Sequence, residues 1–364
     1  MNNGIRDNDN TKKVHVIGVV PPPLNGMTLV TSQIAQRLDH TGHGQLRTIS
    51  GSLRGLHWTA WKHLGFMFQL FSASLRSRGR DRCYFIPDSG AGLWLNIPEA
   101  LILRLGFSEV WLHHHVFSYV RKRDLRMALI LRLIGSKARH IVLGQAMAKG
   151  LEHHYSANQL TILNNANFVV DAPTGHVRKS LSCVGFLGNI TRSKGIALYM
   201  DTLRQLEASG NPVQALIAGP IKDLDLRREI EAFCAEKPGA RKWIGPVKGA
   251  EKQSFFNQID TLLFPSLYAN EALPVTIYEA LAAGIPVLAT DRGCISEQLS
   301  GLDFILPETE FSTTAADRLA KWQRSPNEFS KASVEAQRQY EDQLSAAKIA
   351  LERMIATMTS ENRQ

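Results

Sequence analysis

The chain has 364 residues, of which 44% are hydrophobic and 21% charged, a balance that is ordinary for a globular protein and excludes extensive disorder. Its length exceeds the usual single-domain range and predicts two domains. The net charge of +9 favours polyanionic partners such as anionic lipid head groups or a phosphorylated substrate. Nucleic acid is not an expected partner, because no zinc-finger spacing, RNA-recognition signature or basic-region zipper accompanies the charge.

The cysteines and the apolar runs of the sequence predict a cytoplasmic protein. Four widely separated cysteines indicate free thiols rather than a zinc site or a disulfide framework: Cys83, Cys183, Cys234 and Cys294. The N-terminus lacks the apolar core of a signal peptide, and no run of about 18 apolar residues predicts a transmembrane helix.

The first half of the chain alternates between strand and helix patterns. A β-branched apolar run at 12–20 predicts a strand, 21–26 a turn, and Met27 to Leu38 a helix. Further patterns follow in order: strands at 84–87 and 109–115, a helix at 124–134, and strands at 140–144 and 160–165. Such alternation predicts a doubly wound parallel α/β sheet.

The same alternation starts again near Ser182. A strand pattern at 182–190 is followed by a helix pattern at 195–209 and a strand pattern at 213–219. Residues 171–180 are rich in proline, glycine and polar residues and are the natural linker. The expected divisions are a domain at 1–175, a domain at 176–335 and a closing helical segment at 336–364 that returns to the first domain.

Residues 53–82 combine an apolar helix face with a basic cluster. Five large apolar residues recur at helical spacing and four arginines follow: Trp61, Leu64, Phe68, Phe71 and Leu75, then Arg76, Arg78, Arg80 and Arg82. Such a surface can lie on an anionic membrane. A helix packed on the domain core with a solvated end explains the pattern equally well, so peripheral membrane contact is one of two open interpretations.

The segment from Asn270 to Pro286, NEALPVTIYEALAAGIP, predicts a site for a phosphorylated ligand that carries a diol. Pro274 suits the first turn of a helix that ends before Gly284. The free backbone amides near residues 274–276, at the positive end of the helix dipole, are suited to a diphosphate. Glu271 before the helix and Glu279 within it could then hold hydroxyl groups.

This segment, with IDTLLFPSLY before it at 259–268 and PVLATDRGCISEQL after it, resembles the nucleotide-sugar motif of retaining GT-B glycosyltransferases of family GT4. The resemblance implies two Rossmann-like doubly wound α/β domains facing across a cleft, with the donor bound mainly by the second. It implies that Glu271 lies by the donor sugar and Glu279 by the ribose. The backbone expected at the diphosphate is that of Leu273, Pro274, Val275 and Thr276. Ala272 and Leu273 replace the family's usual Gly-Phe.

The loop FLGNITRSKGI at 186–196 resembles the family's glycine loop, which is followed by an arginine and a lysine that neutralise the diphosphate. Gly188 and Lys194 fit the family positions by spacing. Asn189 stands where the arginine is expected, and Arg192 is a candidate substitute. A solvated basic loop is the structural alternative for both cations.

The loop PPPLNGMTLV at 21–30 resembles the first glycine-containing loop of the GT-B fold. Asn25 departs from the commoner Gly-Gly pair. Gly26 still fits, because a glycine has no Cβ to exclude a ligand. The resemblance therefore makes Gly26 a candidate donor contact.

Three consecutive histidines follow the strand pattern at 109–115. Alternation predicts His113 and His115 on one face and His114 on the other, so the first and third could form a metal pair. No third ligand is indicated, and GT-B enzymes generally need no metal. In the resembling family a histidine here approaches the donor sugar, and His115 is the first candidate with His113 second. The alternative is that the three histidines have only a structural role.

Asp223 and Asp225 match the DxD metal signature of another glycosyltransferase fold. They follow a turn and open a helix pattern, where acidic residues cap the helix and favour its dipole. We therefore expect capping residues rather than metal ligands.

The resemblance to the GT4 family implies a retaining glycosyltransferase that uses a UDP- or GDP-sugar, with no cofactor and no metal. The acceptor is expected to be a saccharide or a lipid-linked saccharide of bacterial cell-surface polysaccharide synthesis. The expected catalytic residues are Glu271, His115 and Lys194. Two alternatives are a GT-B nucleotide-sugar epimerase, which needs no acceptor, and a non-catalytic scaffold, which binds no donor.

Overall fold

The structure is a computed structural model that describes residues 12–20, 26–50, 56–169 and 175–360. The chain divides into two compact units, one formed by Met1–Leu163 with Lys348–Gln364 and the other by Asn164–Ala347. Within the described residues each unit contains a six-stranded parallel sheet flanked by helices. This is the α/β architecture that the alternating patterns predicted.

The strands of the first unit are β1 (Val14–Val20), β2 (Gly44–Ser50), β3 (Arg82–Phe85), β4 (Glu109–His113), β5 (Ala138–Val142) and β6 (Leu160–Ile162). They are ordered β2-β1-β3-β4-β5-β6, and every neighbouring pair is parallel. The sequence patterns predicted each of these strands except β2, whose GQLRTIS lacks a long apolar run.

The helices of the first unit are α1 (Gly26–His40), α2 (Leu56–Ser77), α3 (Leu93–Gly106), α4 (Ser118–Arg121), α5 (Leu125–Ile134) and α6 (Gln145–Tyr155). Right-handed crossovers that run in one direction along a sheet leave their helices on one face. The connections from β2 onward all run toward β6, so α2, α3 and α5 share a layer, in which α3 contacts both α2 and α5.

The strands of the second unit are β7 (Cys183–Leu187), β8 (Gln214–Ala218), β9 (Arg241–Trp243), β10 (Thr261–Phe264), β11 (Val287–Thr290) and β12 (Ile305–Leu306). Their order is β12-β11-β10-β7-β8-β9. The chain builds outward from β7 to β9 and then returns to add β10 on the other side of β7. The switch point of this sheet therefore lies between β7 and β10.

The helices of the second unit are α7 (Ile196–Ala208), α8 (Leu224–Ala235), α9 (Ala250–Gln258), α10 (Val275–Ala282), α11 (Ile295–Gln298), α12 (Phe311–Arg324) and the first part of α13 (Pro326–Thr359). From Lys348 onward α13 belongs to the first unit. The core of the second unit consists of buried apolar side chains from its strands and the helices that cover them.

Two local predictions for the second unit are confirmed. Helix α10 spans Val275–Ala282 with Gly284 in the left-handed region at φ +70°, within one residue of the predicted helix. The Asp223 carboxylate accepts hydrogen bonds from the amides of Asp225 at 3.0 Å and Leu226 at 3.1 Å. Asp223 is thus the N-cap of α8, as its position before a helix pattern indicated.

Arg82 is not part of an exposed basic cluster, and that prediction was wrong. Its side chain is 1% exposed in β3. The guanidinium pairs with Glu109 at 3.1 Å and donates to the carbonyl of Met358 at 2.8 Å. The partners come from the neighbouring strand β4 and from the end of α13, which no pattern local to residues 76–82 could indicate.

The four cysteines are free thiols, as predicted. In the part of the chain that the structure describes, every helix is too short or too polar to cross a bilayer.

Candidate active site

The loops that follow β7 and β10 meet at the switch point of the second sheet. Gly188 directly follows β7, and a 3-10 turn at Arg192–Lys194 completes the first loop. The second loop, after β10, carries Ser266 and Glu271. Because the carboxyl ends of adjacent parallel strands lie at one edge of the sheet, a switch point forms a crevice that suits a ligand.

Lys194 and Glu271 form an ion pair at this edge. The ammonium nitrogen of Lys194 lies 2.5 Å from Oε2 of Glu271, and the hydroxyl of Ser266 donates to the same oxygen at 2.8 Å. The Glu271 side chain is 10% exposed and that of Lys194 25%. Within the described residues both hydrogen bonds fall on Oε2, so Oε1 retains capacity to accept from a ligand.

Aromatic rings flank the Lys194 ammonium. The nitrogen lies 5.1 Å from the ring centroid of Tyr268 and 5.9 Å from that of Phe264. Both distances are within the range of a cation–π contact. An ammonium has three hydrogens, so Lys194 can bind Glu271 and still donate to a second anion.

Gly195 allows the two loops to touch. It has φ +75°, and a Cβ at this position would lie 1.8 Å from the carbonyl oxygen of Pro265. The amide of Leu267 donates to the carbonyl of Ser193 at 2.8 Å and joins the loops directly. Only glycine fits this left-handed and crowded position, which delivers Lys194 to the loop that holds Glu271.

The N-terminus of α10 follows Glu271 by a few residues and is held from outside the helix. Asn165 donates from Nδ2 to the carbonyl of Leu273 at 2.8 Å, and Gln298 donates from Nε2 to that of Pro274 at 3.0 Å. Pro274 is the N-cap and has no amide hydrogen, which corrects the predicted set of donors.

The amides that α10 offers begin at Val275 and Thr276. Both residues are half-buried rather than enclosed. The first amides of a helix have no intrahelical acceptor and lie at the positive end of its dipole. This helix start can therefore bind an anion.

Glu279 lies in the second turn of α10 and is 6% exposed. Its Oε1 pairs with the ammonium of Lys252 on α9 at 2.5 Å. Lys252 could not be predicted as a site residue from the sequence, because no motif marks a lysine 27 positions away on another helix. Oε2 of Glu279 is the oxygen left for a ligand hydroxyl.

The structure does not bring Arg192 to the Lys194–Glu271 pair. Its guanidinium binds Glu229 of α8 at 2.5 and 3.1 Å and lies 3.9 Å from Asp223. The Arg192 side chain is 57% exposed. Its charge is thus already balanced by Glu229 within α8 and by Asp223 at the N-cap of that helix.

In the first unit the histidine triplet alternates as predicted. The rings of His113 and His115 lie 4.0 Å apart, while His114 contacts Tyr119 at 3.1 Å on the other side. His113 bonds through Nδ1 to the hydroxyl of Tyr84 at 2.6 Å. Burial lowers the pKa of His115 to about 4, so its ring is neutral near pH 7.

Gly26, the other candidate in the first unit, is the first residue of α1. The loop at 21–25 that precedes it lies outside the described residues. Among the side chains that the structure describes, no three histidines, cysteines or carboxylates are grouped as a metal site.

Residues 176–340 match the model of the family described as Glycosyl transferases group 1. The matched range contains the Lys194–Glu271 pair, Glu279 and the whole of α10. The match lies within the second unit, which is therefore similar to a glycosyl transferases group 1 domain.

Solved structures with a similar fold cover nearly the whole chain. Sucrose-phosphate synthase from Thermosynechococcus elongatus has a TM-score of 0.72 at 16% identity, over 94% of this chain and 98% of that one. Anabaena HepE in complex with UDP has a TM-score of 0.64 at 15% identity, over 94% and 99%. The chain has the two-domain GT-B fold.

A curated relative of this GT-B chain is WcaL of Salmonella typhimurium, assigned as a colanic acid biosynthesis glycosyltransferase. The two are 29% identical over 149 residues, which is 38% of this chain and 35% of WcaL. The match therefore spans about a third of that relative's length.

Proposed function

We propose that the chain is a retaining glycosyltransferase that moves a hexosyl group from a UDP- or GDP-linked donor to a saccharide or lipid-linked saccharide. The observation that carries the proposal is the Lys194–Glu271 ion pair at the switch point, next to the start of α10. The group 1 domain at 176–340 supports it. The relation to WcaL supports a role in bacterial cell-surface polysaccharide synthesis.

In this proposal the donor diphosphate lies at the first amides of α10 and receives a further hydrogen bond from Lys194. The helix dipole and the ammonium together offset the two phosphate charges. Gly188, Gly26 and Leu273 remain proposed backbone contacts of the donor, and Pro274, which has no amide hydrogen, remains a proposed contact only through its other atoms. Arg192 could join them only by leaving Glu229, so its proposed contribution is smaller.

The two glutamates bind the donor's hydroxyl groups. Oε1 of Glu271 accepts from the transferred sugar, and Oε2 of Glu279 accepts from the ribose diol. Both carboxylates are nearly buried and already paired with a lysine, which fixes their rotamers before the donor arrives. Fixed acceptors stabilise a bound ligand without a reorganisation cost.

Transfer is proposed to proceed on the front face of the sugar. The bond from the anomeric carbon to the diphosphate breaks while the acceptor hydroxyl oxygen bonds to the same carbon from the same side. The acceptor proton passes to the departing diphosphate oxygen, so the products are a glycoside and a nucleoside diphosphate. Lys194 stabilises the charge that builds up on the leaving group.

Metal ions and cofactors have no part in the proposal. The positive charge that the leaving group needs comes from Lys194 and the amides of α10. His115 stays a proposed contact of the donor sugar, on the family resemblance alone, and it would act as a neutral hydrogen-bonding group.

The test is a thermal-shift panel of UDP, GDP and their sugar conjugates on the full chain. A ligand that binds the folded state raises the melting temperature with its concentration. We expect one nucleotide-sugar class to stabilise the wild type and to be converted to a glycoside and free nucleoside diphosphate when saccharide acceptors are added. No stabilisation by any conjugate would indicate a scaffold, and isomerised nucleotide sugar without acceptor would indicate an epimerase.

A further inference from the structure

The outer faces of α2, α3 and α5 expose large apolar side chains in the first unit. Nine of them are between 41% and 73% exposed: Leu64, Phe68, Phe71, Leu75, Trp94, Leu101, Leu105, Leu125 and Leu129. Single exposed apolar residues are ordinary, whereas a group on adjacent helices indicates an interaction surface. We call this group the apolar face.

Helix α2 is apolar on both sides. Its inner side buries Leu70 and Ala73, which are at most 1% exposed. Its outer side presents Phe68 at 73% and Phe71 at 50% exposure. The core is therefore already satisfied by the inner side, and packing within the unit does not explain the outer aromatic residues.

The three helices form a continuous layer. Helix α3 packs against α2 on one side and α5 on the other. Arg126 of α5 lies over the ring of Trp94 in α3 at 5.8 Å, and Arg104 of α3 donates to the carbonyl of Ile134 at 2.9 Å. The apolar face is thus one surface rather than three isolated stripes.

Basic side chains border the apolar face. The exposed cations next to or on these helices are Arg76, Arg78, Arg80, Arg121, Lys122, Arg123 and Arg132. The three helices contain a single carboxylate, Glu99, and it is 0% exposed. Asp124, at the start of α5, is paired with Arg126 at 2.5 Å. The exposed charge of this surface is therefore positive.

We propose that the apolar face binds the surface of an anionic phospholipid bilayer. The leucine, phenylalanine and tryptophan side chains would enter the boundary between head groups and acyl chains. The arginines, whose stems are apolar and whose heads are charged, would reach the lipid phosphates. The absence of exposed carboxylates on the three helices removes the repulsion that an anionic surface would otherwise meet.

The experiment is co-sedimentation of the full chain with vesicles of phosphatidylcholine alone or mixed with phosphatidylglycerol. We expect binding to the mixed vesicles that weakens as salt is added. Leu105→Gln and Leu125→Gln should each reduce partitioning about tenfold, the factor for withdrawing one leucine from an apolar phase. Arg76→Gln and Arg80→Gln should each reduce it about fivefold, as expected per cation at an anionic surface.

The matched control is Leu224→Gln. Leu224 is 68% exposed, close to the 71% of Leu105, but it lies at the start of α8 in the second unit. The control should bind vesicles as the wild type does. Circular dichroism of each variant checks folding, and the thermal shift with nucleotide sugar reports the donor site separately from membrane binding.

Three results would overturn the proposal. The first is absence of wild-type binding to the phosphatidylglycerol vesicles. The second is an equal loss in Leu224→Gln and Leu105→Gln. The third is a concentration-dependent dimer of the wild type that Leu105→Gln and Leu125→Gln dissociate without changing vesicle binding, which would assign the face to a second copy of the chain.

Discussion

The Lys194 ammonium lies 2.5 Å from a carboxylate oxygen of Glu271, although 77 positions separate the two residues. The contact joins the loop after β7 to the loop after β10, the two strands that flank the switch point of the second sheet. A cation and a nearly buried carboxylate are thereby held next to the start of α10. The proposed donor chemistry depends on this pair.

Replacement of Glu271 by glutamine should lower turnover by about two to three orders of magnitude, the cost of losing one preorganised electrostatic contact. The amide oxygen can still accept from Lys194 and Ser266, so folding should be retained. Single-turnover assays with the nucleotide sugar found in the thermal-shift panel would measure the effect. Near-normal turnover would refute the role of Glu271.

Lys194→Gln should weaken nucleoside diphosphate binding by about ten- to a hundredfold, because it removes a charged hydrogen bond to the diphosphate. Arg192→Gln should change it by no more than about threefold, since Arg192 is exposed and already paired with Glu229. Titration calorimetry with UDP and GDP compares the two variants. Equal losses would show that Arg192 leaves Glu229 to bind the donor.

Gly195→Ala should destabilise the second unit far more than Gly210→Ala. Both glycines have similar positive φ, +75° and +79°, but a Cβ at Gly195 meets the Pro265 carbonyl at 1.8 Å while Gly210 faces open space. The backbone strain of about 1 to 2 kcal/mol is shared by both variants, and the clash adds about 1 to 3 kcal/mol only at Gly195. Urea unfolding measures the difference, and equal midpoints would contradict the loop geometry.

Asp223→Ala should lower the free energy of unfolding by about 1 kcal/mol through loss of the α8 cap. Asp225→Ala should have a much smaller effect, because that side chain is 78% exposed and its ion pair with Arg228 lies on the surface. Urea unfolding of both variants distinguishes a cap from a DxD metal site. A requirement of both aspartates for Mn²⁺-dependent activity would support the metal site instead.

The stability of the first unit should fall as the pH is lowered from about 6.5 toward 4. Burial lowers the pKa values of His115 and His140 to about 4 and also lowers those of His113 and His114. Between pH 6.5, the ordinary pKa of histidine, and pH 4, the unfolded chain therefore binds more protons than the folded chain, and lowering the pH favours unfolding. Each fully shifted histidine adds a slope of up to about 1.4 kcal/mol per pH unit.

Thermal melting of the wild type and of His115→Gln between pH 7.5 and pH 4.5 would test this pH dependence. The variant should melt with a shallower loss of stability on acidification, because one of the titrating groups is gone. A wild-type melting temperature that stays constant across the range would contradict it.

Local features of the site could be predicted from the sequence. The ends of helix α10 and the cap at Asp223 are set by residues next to them in the sequence, namely proline, glycine and aspartate. Both features were therefore predicted to within one residue. The alternation of His113, His114 and His115 between the two faces of the strand also follows from backbone geometry alone. Lys194, Glu271 and Glu279 were each named through the family motif, but their partners were not.

Features that depend on distant residues were missed. Ser266 and Lys252 have no motif, and they matter only because folding brings them to Glu271 and Glu279. Helix α3 was not predicted because Pro98 interrupts its helical pattern. Packing of α3 against α2 and α5 outweighs the unfavourable effect of this proline. Arg82 was predicted to end a basic surface cluster, whereas the fold buries it against Glu109 and the carbonyl of Met358.

The sequence by itself determined the alternation of strands and helices, the helix ends around α10 and the identity of the charged candidates, since these depend on residues within a turn or two of one another. Only the tertiary structure decided that Lys194 binds Glu271, that Lys252 binds Glu279, and that Arg192 is engaged by Glu229. Only the packing of three helices against one sheet showed which of their apolar residues remain exposed. Charges and apolar groups act over a few ångströms, and which groups come within that range is set by the topology of the sheets.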